Sequence, residues 1–198
     1  LDLGDLIEDS SITAAEDANF KLLDDILHGV PDITIYHVAG NNDQKAAKRL
    51  HNNCGWENLF YTFSLPELSD WQFIVLNTSE TGREDVSDGQ LEWLADELTD
   101  SRTAGKKVMI FSHVPLSYMT ADFAALSELI AANPQIQGNI SGHTHLGGSR
   151  MVSGIPQIEL KAVLENSKTP TFAILKISAD SWEIVGYGNQ PNYIFKLK

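Results

Sequence analysis

Four short apolar runs in this chain end in the same way. Leu1-Asp-Leu3, Ile33–Ala39, Val108–Phe111 and Ile136–Ile140 lead into Gly4-Asp5, Gly40-Asn41-Asn42-Asp43, Ser112-His113 and Gly142-His143-Thr144-His145. Such runs read as buried strands, and buried strands alternating with amphipathic helices build an open α/β sheet. In sheets of that kind the functional crevice lies beyond the carboxyl ends of the strands. The chain is therefore expected to gather Asp, Asn and His side chains along one edge, with glycines in tight turns that let them crowd together.

The segments between the runs agree with this. Thr13-Ala-Ala-Glu16 is a capping box, and Ala18, Leu22 and Ile26 with Phe20, Leu23 and Leu27 follow on a helical period. A short helix is expected over 44–51, and strands over Leu59–Phe63 and Trp71–Leu76. Ser87-Asp-Gly-Gln90 caps a helix that buries Leu91, Leu94 and Leu98, and Phe123, Leu126 and Ile130 mark another. After residue 146 the helical periods stop. Ile155–Leu160, Thr171–Ile177, Trp182–Tyr187 and Tyr193–Leu197 read as an antiparallel meander. The expectation is one domain over 1–198, with a motif-bearing α/β part at 1–146 and closing β-strands at 147–198.

Charge narrows the partners. With 14 basic and 27 acidic residues the formal charge is −13, a field that repels nucleic-acid backbones and anionic membranes. An anionic partner must then be small or met by a local cation. No apolar run approaches the roughly 20 residues that span a bilayer. A soluble protein is expected, cytoplasmic in preference to other compartments, with neither nucleic acid nor membrane as partner. Cys54 is the one cysteine, which excludes an internal disulfide and a thiolate metal cluster.

A carboxylate, an amide oxygen and imidazoles make a mixed oxygen and nitrogen set, suited to Mn²⁺, Fe or Zn²⁺ better than to Ca²⁺ or Mg²⁺. Taken singly, each motif has an ordinary explanation. Gly-Asp is a turn, Asn-Asn-Asp a solvated turn or helix cap, and His113 before Val-Pro a loop histidine. The Gly-His-Thr-His run is more specific, and the agreement of four strand ends is the real signal. His37 reads as a packed strand residue, His28 as a helix C-terminal cation, His51 as a surface residue and Cys54 as structural. Trp71, Trp93 and Trp182 read as packing, whereas Trp56 and Tyr118, in loops flanking the motifs, are candidates for a substrate face.

These residues resemble the calcineurin-like metallophosphoesterase family, whose pattern is Asp-x-His, Gly-Asp, Gly-Asn-His-(Asp/Glu), a lone His, and Gly-His-x-His. The resemblance covers about residues 1–146, and DGQLEWLADEL at 88–98 is similar to a helix of phosphodiesterase-type members. It implies a four-layer α/β/β/α sandwich and hydrolysis of a phosphodiester, nucleotide diphosphate or phosphomonoester by a metal-activated hydroxide. By the same resemblance Asp5 bridges two metals, Asn41, His113 and His143 complete one site, and His145 leans to the other. Asn42 would orient the phosphoryl group.

Two departures qualify that implication. Asp-x-His is absent, so the chain opens at the family's second motif, with the first strand and helix expected to be missing. One metal position then keeps only Asp5 and His145, one bound ion is expected where a complete site takes two, and another chain or segment is expected to complete the sheet edge. Asn42 stands where the family has a histidine, and an amide cannot deliver a proton as imidazolium does. The alternative is a non-catalytic scaffold or binding module with an incomplete metal site.

Overall fold

Nine strands carry the described architecture, seven of them on the carboxyl side of residue 100. The computed structural model describes residues 1–7, 13–29, 33–44, 58–82, 84–119, 123–163 and 168–198. Within these, α1 is Thr13–His28, α2 the single turn Asn41–Gln44, β1 Tyr61–Phe63, β2 Trp71–Leu76 and α3 Asp88–Thr103. They are followed by β3 Lys107–Ser112, α4 Phe123–Ala131, β4 Ile136–Ser141, β5 Gly148–Val152 and β6 Ile155–Glu159. Finally come β7 Phe172–Ile177, β8 Ser181–Tyr187 and β9 Tyr193–Lys196.

A six-stranded sheet runs in the order β1-β2-β3-β4-β6-β5, and β7-β8-β9 form a second sheet. β2, β3, β4 and β6 are mutually parallel, while β1 and β5 pair antiparallel at the two margins. The central strands are buried throughout because both faces are covered. On one face Leu94 and Leu98 of α3 and Leu126 and Ile130 of α4 pack on Ile74, Ile110 and Ile136. On the other face Trp182 and Ile184 of β8 pack with Phe73, Met109 and Phe111. There the Trp182 ring lies so close to Gly138 that a Cβ would sit 2.6 Å from it. The expected α3 cap is in place, with the Ser87 hydroxyl accepting from Gln90 N at 3.2 Å.

Three expectations need correction. First, Ile155–Glu159 does not belong to the closing meander. It pairs parallel with β4 and antiparallel with β5, a strand the sequence pattern did not suggest. Its fully buried register suits an interior place in the large sheet, whereas β7 alternates exposed and half-buried residues. Second, residues 33–39 run extended but form no strand. The Tyr61 hydroxyl accepts from His37 N (2.9 Å) and donates to His37 O (2.8 Å), so a side chain occupies both main-chain groups of His37, while Tyr36 O accepts a backbone bond from Asp2 N (3.1 Å). His37 itself is paired through Nδ1 with the Asp2 carboxylate and is not a plain packed residue. Third, α1 buries a narrower stripe than its period suggests. Leu23 packs with Ile7 and Ala39, and Leu27 joins them, but Leu22 and Ile26 are exposed.

The strands therefore deliver their carboxyl ends to one edge. β3 leads into His113, β4 leads into Gly142-His143, and segments 1–4 and 33–40 bring Asp5 and Asn41 beside them.

Candidate metal centre

The site begins with two glycines back to back. A Cβ on Gly4 would lie 2.6 Å from Gly40 N, and one on Gly40 would lie 2.2 Å from Asp5 Oδ1. Gly4 has φ +89°, open to glycine and strained for any other residue. With nothing between them, the two segments approach closely enough for Asp43 to clamp both. Its buried carboxylate accepts from Asp5 N (2.7 Å), Leu6 N (3.1 Å) and Gly40 N (2.9 Å). Burial raises the Asp43 carboxyl, and the nearby Asp5 and Asp2 charges add to this against the Gly40 and Asp5 amides.

Asp5 is held in turn by Asn42 N, which donates to its Oδ1 at 2.9 Å. The Asn42 side chain accepts from Asn41 Nδ2 at 3.1 Å, which turns the Asn41 carbonyl oxygen away from Asn42. That oxygen lies 3.1 Å from His113 Nε2 and 3.1 Å from His143 Nδ1. The two imidazole nitrogens are 3.2 Å apart, and His113 Nε2 is 3.3 Å from Asp5 Oδ2.

The far side of each ring settles its tautomer. His113 Nδ1 lies 2.6 Å from the Leu3 carbonyl oxygen, which can only accept, so Nδ1 carries the proton and Nε2 a lone pair. His143 Nε2 lies 3.1 Å from Glu84 Oε1, which places its proton there and leaves the lone pair on Nδ1. With both rings neutral, four acceptors, Asp5 Oδ2, Asn41 Oδ1, His113 Nε2 and His143 Nδ1, thus lie together with no proton of their own among them. Such a cluster is repulsive unless a cation sits within it. A divalent first-row ion bonded at about 2.1 Å separates adjacent donors by about 3.0 Å in an octahedron and about 3.4 Å in a tetrahedron. The observed spacings fall in that interval, and the donor set fits Mn²⁺, Fe²⁺ or Zn²⁺. Among the described residues no three His, Cys, Asp or Glu side chains are arranged to hold a metal ion by themselves; the Asn41 oxygen, in contact with both imidazoles, is what links this cluster.

The electrostatics agree. Burial raises the Asp5 carboxyl, but the hydrogen bond and charge of His113, the Asn42 amide and His143 outweigh it, and the net direction is down. Burial lowers His113, yet the Asp5 carboxylate, the Leu3 carbonyl and Asp43 carry it above its ordinary value. The backbone is unusual at the same places. Asp5 (φ 55°), His143 (φ 78°) and His145 (φ 67°) are three of the four non-glycine residues with positive φ among those described. Left-handed backbone at non-glycine residues concentrates where a site is imposed on the chain.

The structure thus brings Asp5, Asn41, His113 and His143 together, with Asn42 as their brace. His145 is exposed on the same turn and takes no part in the contacts that join the four. Trp56, His51 and Cys54 lie outside the described residues, as does the His28 side chain. Tyr118 ends a short 3₁₀ turn pinned to β6, where Ser117 N donates to Gln157 Oε1 (3.0 Å) and Gln157 Nε2 to Ser117 Oγ (2.9 Å). Its hydroxyl accepts from Arg150 Nη2 at 3.1 Å, and the guanidinium stands 5.0 Å from the ring centroid. Glu84, Asp43 and Arg150 were not foreseen. An acidic turn and an isolated arginine look like solvated surface until the fold supplies their partners.

The chain is similar to known proteins over most of its length. The calcineurin-like phosphoesterase family model matches residues 1–147. The manganese-dependent ADP-ribose/CDP-alcohol diphosphatase of Mus musculus is 29% identical over 140 residues, 66% of this chain and 39% of that protein. The Homo sapiens protein of the same name matches to the same extent. That of Oryza sativa subsp. japonica is 32% identical over 126 residues, 59% of this chain and 37% of its own length. The chain thus spans about two fifths of the length of these relatives. In fold it is similar to a dimetal phosphatase from Danio rerio, with a TM-score of 0.84 at 20% identity over 99% of this chain and 82% of the other. With the family model covering most of its length, the chain belongs to the calcineurin-like phosphoesterase family.

Proposed function

We propose that this chain is the metal-binding part of a manganese-dependent phosphohydrolase that cleaves the diphosphate linkage of small nucleotide-type substrates, of the ADP-ribose or CDP-alcohol class. The carrying observation is the clustering of four donor atoms, from Asp5, Asn41, His113 and His143, linked by contacts of 3.1 to 3.3 Å at the carboxyl edge of the sheet. The names of the similar proteins support manganese and the diphosphate substrate.

Asp5, Asn41, His113 and His143 would hold one ion, and His145 with Asp5 would contribute to a second. When loaded, such a centre supplies Lewis-acid polarisation of phosphoryl oxygens and an acidified water. The protein's own part is to hold the ligands rigid: Asp43 locks the Gly4-Asp5 and Gly40-Asn41 turns together, and Asn42 orients Asn41. Arg150, stacked on Tyr118, is a fixed cation in an otherwise acidic chain, suited to the second phosphate of a diphosphate or to stacking under a base. The substrate's negative charge is met locally by metal and arginine against the overall charge of −13. No described helix is long and apolar enough to cross a membrane, and a cytoplasmic location is part of the proposal.

The test pairs metal binding with catalysis. Mn²⁺ titration should give one tight site per chain, lost in His143→Ala. The loaded chain should release AMP from ADP-ribose or CMP from a CDP-alcohol in preference to hydrolysing p-nitrophenyl phosphate. Tight metal binding without hydrolysis of any of these would favour a metal-holding scaffold; absence of metal binding would refute the proposal.

A further inference from the structure

We infer that Glu84 is a positioning residue of this metal centre: it holds His143 as the Nε2–H tautomer, so that the Nδ1 lone pair faces Asn41, His113 and the metal. The inference rests on the metal-centre reading above. It starts from the 3.1 Å contact between Glu84 Oε1 and His143 Nε2 on the side of the ring away from the other donors. An imidazole whose second nitrogen donates to a carboxylate is a stronger and better-oriented ligand.

Glu84 is half exposed, and a lone exposed glutamate on a loose loop would contribute little. The loop is not loose. Ser79 and Asp85 form a β-bridge, Gly82 N donates to Ser79 O (3.0 Å), and the Thr81 hydroxyl donates to Asp85. Glu80 accepts from the Ser87 hydroxyl (2.7 Å) and from Gln90 Nε2 (2.8 Å), which ties the loop to the start of α3. Gln90 in turn accepts from Asn77 N at 2.8 Å, directly after β2. Both ends of the loop are therefore fixed to the core, and Glu84 is carried at its rim toward His143.

His113 has the matching device in the Leu3 carbonyl, a backbone group that no substitution removes. The positive φ of His143 leaves its ring without support from a regular strand or helix, so a partner on the outer nitrogen matters more there. Glu84 supplies for the exposed histidine what the main chain supplies for the buried one.

The experiment compares the full chain with Glu84→Gln, Glu84→Ala and Glu84→Asp by Mn²⁺ calorimetry and by ¹⁵N NMR of the histidine rings without metal. Neutral wild-type His143 should show the Nε2–H tautomer, and Glu84→Ala a mixture. Mn²⁺ affinity should fall about 10- to 100-fold in Glu84→Ala, less in Glu84→Gln, with partial recovery in Glu84→Asp. Equal Mn²⁺ affinity and an unchanged His143 tautomer in Glu84→Ala would overturn the inference while leaving the metal centre intact. Failure of the wild-type chain itself to bind Mn²⁺ would overturn both, and the two failures are told apart by the wild-type titration alone.

Discussion

His113 Nε2 and His143 Nδ1 face each other across 3.2 Å, and on their far sides the two rings donate to the Leu3 carbonyl and the Glu84 carboxylate. Two lone pairs so arranged repel, and a cation between them removes the repulsion. Mn²⁺ at 100 times its dissociation constant is then expected to stabilise the fold by about 2.7 kcal/mol. The gain should disappear with EDTA and in Asn41→Ala or His143→Ala. Thermal unfolding with and without metal checks it, and an equal rise in the variants would count against the assigned ligands.

Asp43 is expected to matter more than its absence from the ligand set suggests. Asp43→Ala leaves Asp5 N, Leu6 N and Gly40 N without their acceptor. At about 1–3 kcal/mol for each donor left unsatisfied in a buried place, the loss should be at least about 3 kcal/mol. Asp43→Asn, which keeps one acceptor oxygen, should lose less. Urea denaturation of the metal-free proteins separates this from any effect on metal affinity.

Gly40 and Gly82 make a matched pair. An alanine at 40 places its Cβ 2.2 Å from Asp5 Oδ1 and 2.3 Å from Asp5 N, so Asp5 must move and metal binding should be abolished. An alanine at 82 meets nothing within 4 Å but takes φ +78°, a strain that should cost about 1–2 kcal/mol and, acting only through the loop that carries Glu84, should weaken metal binding far less than Gly40→Ala. Calorimetry of both variants with Mn²⁺ decides; retained affinity in Gly40→Ala would refute the close packing.

Alkaline pH should reveal Tyr61. Burial, opposed by the His37 amide and aided by the Asp2 and Tyr36 charges, pushes its phenol from about 10 up to about 12. In the unfolded chain tyrosine ionises near 10, so between about pH 10 and 12 the unfolded state has lost a proton that the native state keeps. The contribution is fully present below pH 10 and is lost as pH rises through that window. Tyr61→Phe should be less stable at pH 8, having lost both His37 hydrogen bonds, but should show a shallower decline above pH 10. Denaturation midpoints at pH 8, 10 and 11 give the comparison.

Arg150 offers the test of substrate handling. Arg150→Ala should raise KM for a dinucleotide-type diphosphate about tenfold with a smaller effect on kcat, and should leave Mn²⁺ affinity unaltered. Tyr118→Phe removes only the 3.1 Å hydrogen bond and should do less than Tyr118→Ala, which also removes the stacked ring. Steady-state kinetics on ADP-ribose are the measurement. A pure kcat effect in Arg150→Ala would argue against a binding role.

The sequence alone determined the strand ends and their chemistry. Asp5, Asn41, His113 and His143 were legible because each follows an apolar run and three of the four sit beside glycine, a pattern set by local backbone and burial requirements. The helices α3 and α4 and the closing strands were legible for the same reason, since period and caps are local. What only tertiary structure decided is pairing. Whether Ile155–Glu159 joins the large sheet depends on which edge it meets, and its composition does not say. Residues 33–39 have the composition of a strand, but the main-chain groups of His37 are taken by the Tyr61 hydroxyl, 24 positions away. Glu84 and Asp43 act at separations of 59 and 38 residues from His143 and Asp5. No pattern within a window of one element carries such contacts, because the free energy that fixes them comes from packing the sheet and its loops together.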